Sequence, residues 1–327
     1  MPMKKRRMGK ALTLALSVFV TVLVLLAGIC YLNHSLQLKR EEAIYEPMGR
    51  QVAVNGHKLN VYNEGAGAHT LVFLSGGGTC SPVLDFKSLY TRLSDDYCTV
   101  VVEKAGYGFS EDADVPRDLD TVLSETREAL KLAGFVPPYV LCPHSMSGIE
   151  ALYWAQQYPE EVMAIVGLDM AVPQAYENMD INIPMMRLGA LAADLGVTRW
   201  IPSLSESDAI RYGALTEEEQ ALYRAIFYRR TLTSAMIKEA EEIKTSAEIV
   251  QNGGAVIVPI LMFASDGTGG TGYDTDTWRG FQRDFAAGQP NAAVRELDDP
   301  HYIHNHAYRE IALEMKEFLA EVFQGTE

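Results

Sequence analysis

Tyr139-Val-Leu-Cys-Pro-His-Ser-Met-Ser-Gly-Ile-Glu-Ala-Leu-Tyr153 decides the reading of this chain. It opens on an apolar run that ends at Cys142, and a helical pattern begins near Met146. The turn between them carries Ser145. A serine on so sharp a strand-to-helix turn projects its hydroxyl above the sheet edge. The following helix aims its first N–H groups at that point, which favours negative charge developing there. Serine is also a good helix cap, so the rest of the chain must choose between the two roles.

Outward from this segment, short apolar runs recur at Thr70–Leu74, Thr99–Val102, Met163–Leu168, Pro259–Phe263 and Ala292–Leu297. Such runs suit strands covered on both faces. Asn55-Gly56 between two alternating runs reads as a hairpin. Helical stretches lie between the runs: Leu119–Ala133 behind a capping Asp118, Ile149–Tyr158 ending before Pro159, and Tyr308–Phe323. Strands alternating with helices predict an α/β fold with a mostly parallel, doubly wound sheet. The alternation breaks once. Between 173 and 253 no strand is expected, and Pro184–Leu195, Ser207–Tyr212, Glu217–Tyr228 and Ser234–Val250 read as helices, with a capping box at Thr216 to Glu219. A helical block inside a βα series reads as an insertion.

His144-Ser145-Met146, then small Ser147 and Gly148, resembles the nucleophile elbow of the α/β-hydrolase family. The usual G-x-S-x-G pattern is altered, with Pro143 and Ser147 in place of the outer glycines. Ser75-Gly76-Gly77-Gly78 follows the first buried run, where the family's loop supplies one oxyanion donor. By resemblance the donors are the backbone N–H groups of Gly77 and Met146. Ser75 stands where the family often has histidine. A phosphate loop is not indicated, because no Gly-Lys-Ser/Thr follows. Glu103-Lys-Ala-Gly-Tyr-Gly-Phe-Ser110 is similar to the family's D-x-x-G-x-G-x-S loop.

A serine hydroxyl needs a base to take its proton. The family places that base between the last strand and the last helix, which points to His301 in Leu297-Asp-Asp-Pro-His-Tyr-Ile303, with His304 as second choice. For the acid that orients the imidazole, Asp266 after the run Pro259–Phe263 matches the Ser…Asp…His order of the fold. Asp169, after Met163–Leu168, is the alternative position; Asp274 and Asp276 are weaker candidates. The resemblance covers roughly residues 51–323. It implies acyl transfer from an ester or amide of a small or partly apolar acyl group to water, with no cofactor. Haloalkane dehalogenases and soluble epoxide hydrolases of this fold use an aspartate nucleophile, against which Ser145 argues. The helical block resembles the family's cap. Met179, Met185, Met186, Leu188, Leu191, Trp200, Ile201, Tyr223, Phe227 and Tyr228 are candidates to line the pocket beneath it or to pack the cap on itself.

Residues 11–32 are apolar and uncharged, long enough as a helix of about 33 Å to cross a hydrocarbon core. Lys4, Lys5, Arg6, Arg7 and Lys10 precede this segment. The positive-inside rule then predicts a single-pass cell-membrane protein with a cytoplasmic N-terminus and an extracytoplasmic catalytic domain. A cleaved signal peptide is the rival reading. The expected organisation is a basic tail at 1–10, an anchor at 11–32, a stalk at 33–50, a core at 51–172 and 254–327, and a cap at 173–253. The net charge of −15 over 327 residues disfavours nucleic acid as a partner and leaves a small-molecule substrate. The four cysteines form no CxxC pair, and His301, His304 and His306 have no ligand partner at a recognised metal spacing. Two further readings are a non-catalytic hydrolase-fold binding module at the cell surface and a peptidase of the prolyl aminopeptidase type.

Overall fold

The computed structural model describes residues 2–324; of residues 2–9 it describes the backbone alone. The basic side chains of Lys4, Lys5, Arg6 and Arg7, which set the expected orientation, lie outside the described residues.

Eight strands form one sheet: β1 (Arg50–Val54), β2 (His57–Glu64), β3 (Thr70–Leu74), β4 (Cys98–Glu103), β5 (Tyr139–Pro143), β6 (Val162–Leu168), β7 (Ile260–Ala264) and β8 (Ala292–Glu296). Their order is β1-β2-β4-β3-β5-β6-β7-β8. β1 and β2 form the expected hairpin, and Asn55 (φ +49°) and Gly56 (φ +86°) both take the left-handed backbone that a tight two-residue turn requires. β2 meets β4 antiparallel, and every pair from β4 to β8 is parallel.

The period of two along each strand divides the core into two layers. Leu71 and Phe73 of β3, Val101 of β4, and Val140 and Cys142 of β5 face one side. They pack there on Leu89, Tyr90 and Leu93 of α2 (Lys87–Leu93), and on Ile311, Met315 and Leu319 of the C-terminal helix Tyr308–Gln324. Val72, Leu74, Val100, Val102 and Leu141 face the other side. Their partners come from α3 (Leu119–Leu132), α4 (Ser147–Gln157), a long helix at Ser234–Asn252 and another at Thr275–Ala287. Each of these large side chains contributes roughly 1.5–3 kcal/mol by leaving water.

Between β6 and β7 the described residues form helices and no strand. The longer ones are α5 (Ile183–Asp194), α6 (Glu217–Arg230) and α7 (Ser234–Asn252), the last being the long core-facing helix above. α8 (Thr275–Ala287) and α9 (Tyr308–Gln324) complete the set. The expected capping box at Thr216 and Glu219 closes the start of α6. Short 3₁₀ turns at Val197–Trp200 and Pro202–Ser205, which periodicity did not reveal, join α5 to α6. A buried ion network ties α7 to the core. Lys104 after β4 donates to Glu239 at 2.9 Å, and Arg117 reaches Glu239 at 3.3 Å and Glu125 of α3 at 2.6 Å. The Tyr107 hydroxyl adds a 2.9 Å bond to Glu239. The Glu103–Ser110 segment therefore joins the helical block to the sheet.

The N-terminal helix α1 runs without a break from Pro2 to Glu41. It is long and apolar enough, by length and composition, to cross a membrane. The first nine residues of the segment read as a stalk continue this helix. The physical reason is twofold. No glycine or proline falls between Gly28 and Pro47 to stop it, and its last turns pack against the helical block. All four cysteines are free.

Candidate active site

Ser145 sits on the turn between β5 and α4 with φ +52°, a conformation that costs a non-glycine residue of order 1–3 kcal/mol. The surrounding bonds hold it there. The His144 N–H donates to the Leu74 carbonyl at 2.9 Å, which locks the turn to the end of β3. The Ser147 hydroxyl also donates to the Leu74 carbonyl, at 2.6 Å, and lies 2.9 Å from the His144 carbonyl. Ser147, which stands where the family has glycine, is thus small enough for the turn and fastens it. The close approach is made at Gly148 instead. A Cβ there would collide with the Ala171 carbonyl oxygen, and the Ala171 N–H donates to the Ser145 carbonyl at 2.8 Å.

His301 is 4% exposed and its Nε2 lies 2.8 Å from the Ser145 hydroxyl oxygen. Its Nδ1 lies 2.5 Å from Oδ2 of Asp169. Asp169 follows β6 directly, is fully buried, and has φ +51°. Its Oδ1 accepts from the Ser265 N–H at 2.7 Å, Trp278 Nε1 at 2.8 Å and Gln282 Nε2 at 3.1 Å. Its Oδ2 accepts from the Ser265 hydroxyl at 2.6 Å as well as facing His301. Burial alone would push this carboxyl up. The hydrogen bond and charge of His301, with the two bonds from Ser265, outweigh it and hold the pKa below the ordinary aspartate value. An ionised Asp169 requires a proton on Nδ1 of His301, which leaves Nε2 as the acceptor facing Ser145.

Asp266, the first choice for the acid from sequence, is therefore corrected: Asp169, the alternative, is the carboxylate against His301. Asp266 turns into its own loop, where Oδ1 accepts from the Thr268 N–H at 2.8 Å and the Thr268 hydroxyl at 2.6 Å. Both aspartates satisfy the chain order, so order could not separate them. The side chains do, because Asp169 Oδ2 meets His301 Nδ1 while Asp266 Oδ1 is taken up by Thr268. Asp274 caps α8 through the Thr277 N–H. His304 pairs with Asp85 at 2.7 Å, and His306 with Asp208 at 3.0 Å.

The oxyanion candidates are adjacent to the nucleophile. A Cβ on Gly76 would stand 2.8 Å from Ser145 Cβ and 2.9 Å from His144 Nδ1, and one on Gly77 would stand 3.0 Å from Met146 Cε. The glycines let the β3 loop lie directly on the turn. His144 is fully enclosed beneath it. Burial, with repulsion from His304 and His301, holds its pKa well below the ordinary histidine value, so it is neutral. A small cavity of about 30 Å³ backs the turn, lined by Met146, Ser147, Glu150 and the Lys104–Arg117–Glu239 network.

Sequence reasoning missed Ser265, Trp278 and Gln282, the residues that hold Asp169. They come from the end of β7 and from α8 and carry no motif. The one local signal is an aspartate flanked by apolar residues, Leu168-Asp-Met-Ala-Val172. Among the described residues no group of three or more histidine, cysteine, aspartate or glutamate side chains could hold a metal.

No protein-family model matches the chain. It is 36% identical to the uncharacterized protein YbdG of Bacillus subtilis over 315 residues, 93% of this chain and 97% of that one. It is 26% identical to the 2-(acetamidomethylene)succinate hydrolase of Mesorhizobium japonicum over 127 residues, 37% of this chain and 42% of that one. Among solved structures, the epoxide hydrolase VrEH1 of Vigna radiata superimposes with a TM-score of 0.65 at 20% identity, over 83% of this chain and 97% of that one. Strand order, elbow and the likeness to solved structures agree on the α/β-hydrolase fold, and the chain belongs to one family with YbdG.

Proposed function

We propose that the protein is a serine hydrolase that cleaves an ester or amide through an acyl-enzyme. The observation that carries this is the continuous relay from Ser145 Oγ through His301 to Asp169, at 2.8 and 2.5 Å. In this reading Ser145 Oγ attacks the substrate carbonyl carbon while His301 Nε2 takes its proton. Asp169 holds the ring and stabilises the imidazolium. The N–H groups of Gly77 and Met146 receive the oxyanion; each such donor is worth roughly 3 kcal/mol in the transition state. His301 then passes its proton to the leaving group, and the acyl group stays on Ser145. Water, activated by the same imidazole, releases the acid. The hydroxyl nucleophile separates this chemistry from that of aspartate-nucleophile enzymes on the same fold. The expected substrate is a small or partly apolar acyl ester or amide, and no cofactor enters any step.

The uncharged stretch 11–32 of α1 and the basic residues before that stretch support a single-pass anchor with the hydrolase domain on the extracytoplasmic side. The test is a fluorophosphonate probe on the full-length protein beside Ser145→Ala, with the adduct mapped by mass spectrometry. Labelling at Ser145 that disappears in the variant is expected, followed by turnover within a panel of p-nitrophenyl esters and anilides. A folded wild-type protein that resists both this probe and a smaller sulfonyl fluoride would refute the reading in favour of a non-catalytic binding module.

A further inference from the structure

The helical block presents an apolar face that covers nothing inside the protein. Met185, Leu188 and Leu191 recur every third residue on α5 and are exposed. Val197, Trp200, Ile201 and Leu204 on the adjoining 3₁₀ turns are exposed too. Five of these seven residues were expected to line a pocket or pack the cap on itself. They do neither. Isolated apolar side chains on a surface are ordinary, but a run of them on packed neighbours marks a binding face.

What lies beside this face is α1. The turn Val197–Trp200 packs on it, and so does α6. A Cβ on Gly196 would collide with His34 and stand 3.0 Å from the Cys30 carbonyl. Arg199 donates from Nε to His34 Nδ1 at 2.8 Å and grips Glu41 with both terminal nitrogens at 2.7 and 2.9 Å. Arg229 of α6 reaches the same carboxylate at 2.8 Å and the Leu38 carbonyl at 2.6 Å. Bidentate arginine pairing of this kind fixes an angle as well as a contact. The cap and the end of α1 therefore form one rigid unit.

The level of this contact identifies the occupant of the face. From Ala11 to Cys30 a helix rises about 30 Å, the thickness of the hydrocarbon core. Gly196 lies against Cys30 and His34, on either side of Leu32, where the apolar stretch ends. We propose that the face made by α5 and the two 3₁₀ turns is seated in the lipid interface around α1, with Trp200 at headgroup level. The domain is then held down by its cap as well as tethered by a helix. A tryptophan beside arginines at that depth matches the side chains that anchor proteins at an interface. The inference rests on α1 spanning the bilayer.

Tryptophan fluorescence reads this directly. The chain has three tryptophans. Trp154 is 0% exposed and Trp278 2%, both within the domain, whereas Trp200 is 61% exposed. Full-length protein is reconstituted into phosphatidylcholine vesicles whose acyl chains are brominated close to the headgroup, and into unbrominated vesicles. Flotation and alkaline extraction first establish that the protein is integral. Emission from wild type is expected to fall by at least a fifth in the brominated vesicles, and that from Trp200→Phe by no more than a few per cent. Leu188→Trp in the Trp200→Phe background should restore the loss. Integral protein with equal emission in the two vesicles would overturn the seated face while leaving the anchor standing. Shielding of Trp200 from aqueous iodide without bromine quenching would also overturn it, and would assign the face to a protein partner such as a second copy. Failure to float would overturn the anchor and the seat together.

Discussion

Replacing Asp169 by asparagine should disable the enzyme through the tautomer of His301, and the structure fixes which way the new amide must point. Three N–H donors, from Ser265, Trp278 and Gln282, converge on Oδ1 of Asp169. Oδ2 faces one ring nitrogen and one hydroxyl, either of which can accept. An asparagine carbonyl will therefore turn toward the three donors, and its NH₂ toward His301. The NH₂ needs an acceptor, so Nδ1 must lose its proton and Nε2 must carry one. That N–H points at Ser145 and cannot take the serine proton. The same substitution in the Ser-His-Asp template lowers kcat about 10⁴-fold, which is roughly 5.5 kcal/mol at 1.36 kcal/mol per decade. Lost charge-assisted bonds should also cost stability on the order of 1–3 kcal/mol. Turnover of an ester identified with the fluorophosphonate-reactive enzyme would be measured on folded protein, checked by circular dichroism and urea midpoint. Asp266→Asn is the companion. Its carbonyl can still accept from the Thr268 N–H, so activity should stay within about threefold of wild type. A folded Asp169→Asn protein within tenfold of wild type, or a thousandfold loss in Asp266→Asn, would refute the assignment.

Two further perturbations test the neighbourhood of the site. Gly76→Ala places a Cβ 2.8 Å from Ser145 Cβ, so the nucleophile must shift; a displacement near 1 Å predicts a loss of about 10²-fold in kcat/KM with the fold intact. Activity close to wild type would mean that the loop yields and does not position Ser145. Burial pushes the Glu103 carboxyl up to about 7, against bonds from the Phe109 and Val83 N–H groups, the Asn60 amide and the charge of Arg230. The folded protein thus holds this proton more tightly than the unfolded chain does. Its contribution is most favourable below the ordinary value of 4.5 and is lost as pH rises through about 7. Urea midpoints from pH 5 to 8 should fall more steeply for wild type than for Glu103→Gln, and parallel curves would refute the burial argument.

Much of the architecture was legible because local chemistry repeats along the chain. Val72, Val100 and Leu141 sit in runs whose β-branched and apolar content suits only strands covered on both faces, and the intervening stretches carry helical spacing. Ser145 and His301 were readable from their places after a strand. The Ser147 substitution was harmless because its hydroxyl found the Leu74 and His144 carbonyls, a fact of three dimensions. The apolar stretch ends at Leu32, but the helix runs on to Glu41 because no helix breaker appears until Pro47.

The sequence by itself determined the strands, the long helices other than α2 and α8, the serine on its turn, the histidine before the last helix and an apolar span at the N-terminus. These depend on neighbours within one or two turns of the chain. Only the tertiary structure decided that Asp169 and not Asp266 faces His301, since both follow a strand in the same chain order and only the direction of their side chains separates them. It also decided that Glu41 is clamped by Arg199 and Arg229, which lie 158 and 188 residues further along. Pairings across such distances arise from how the sheet is ordered and how helices pack on it, and nothing in the local spacing of residues records them.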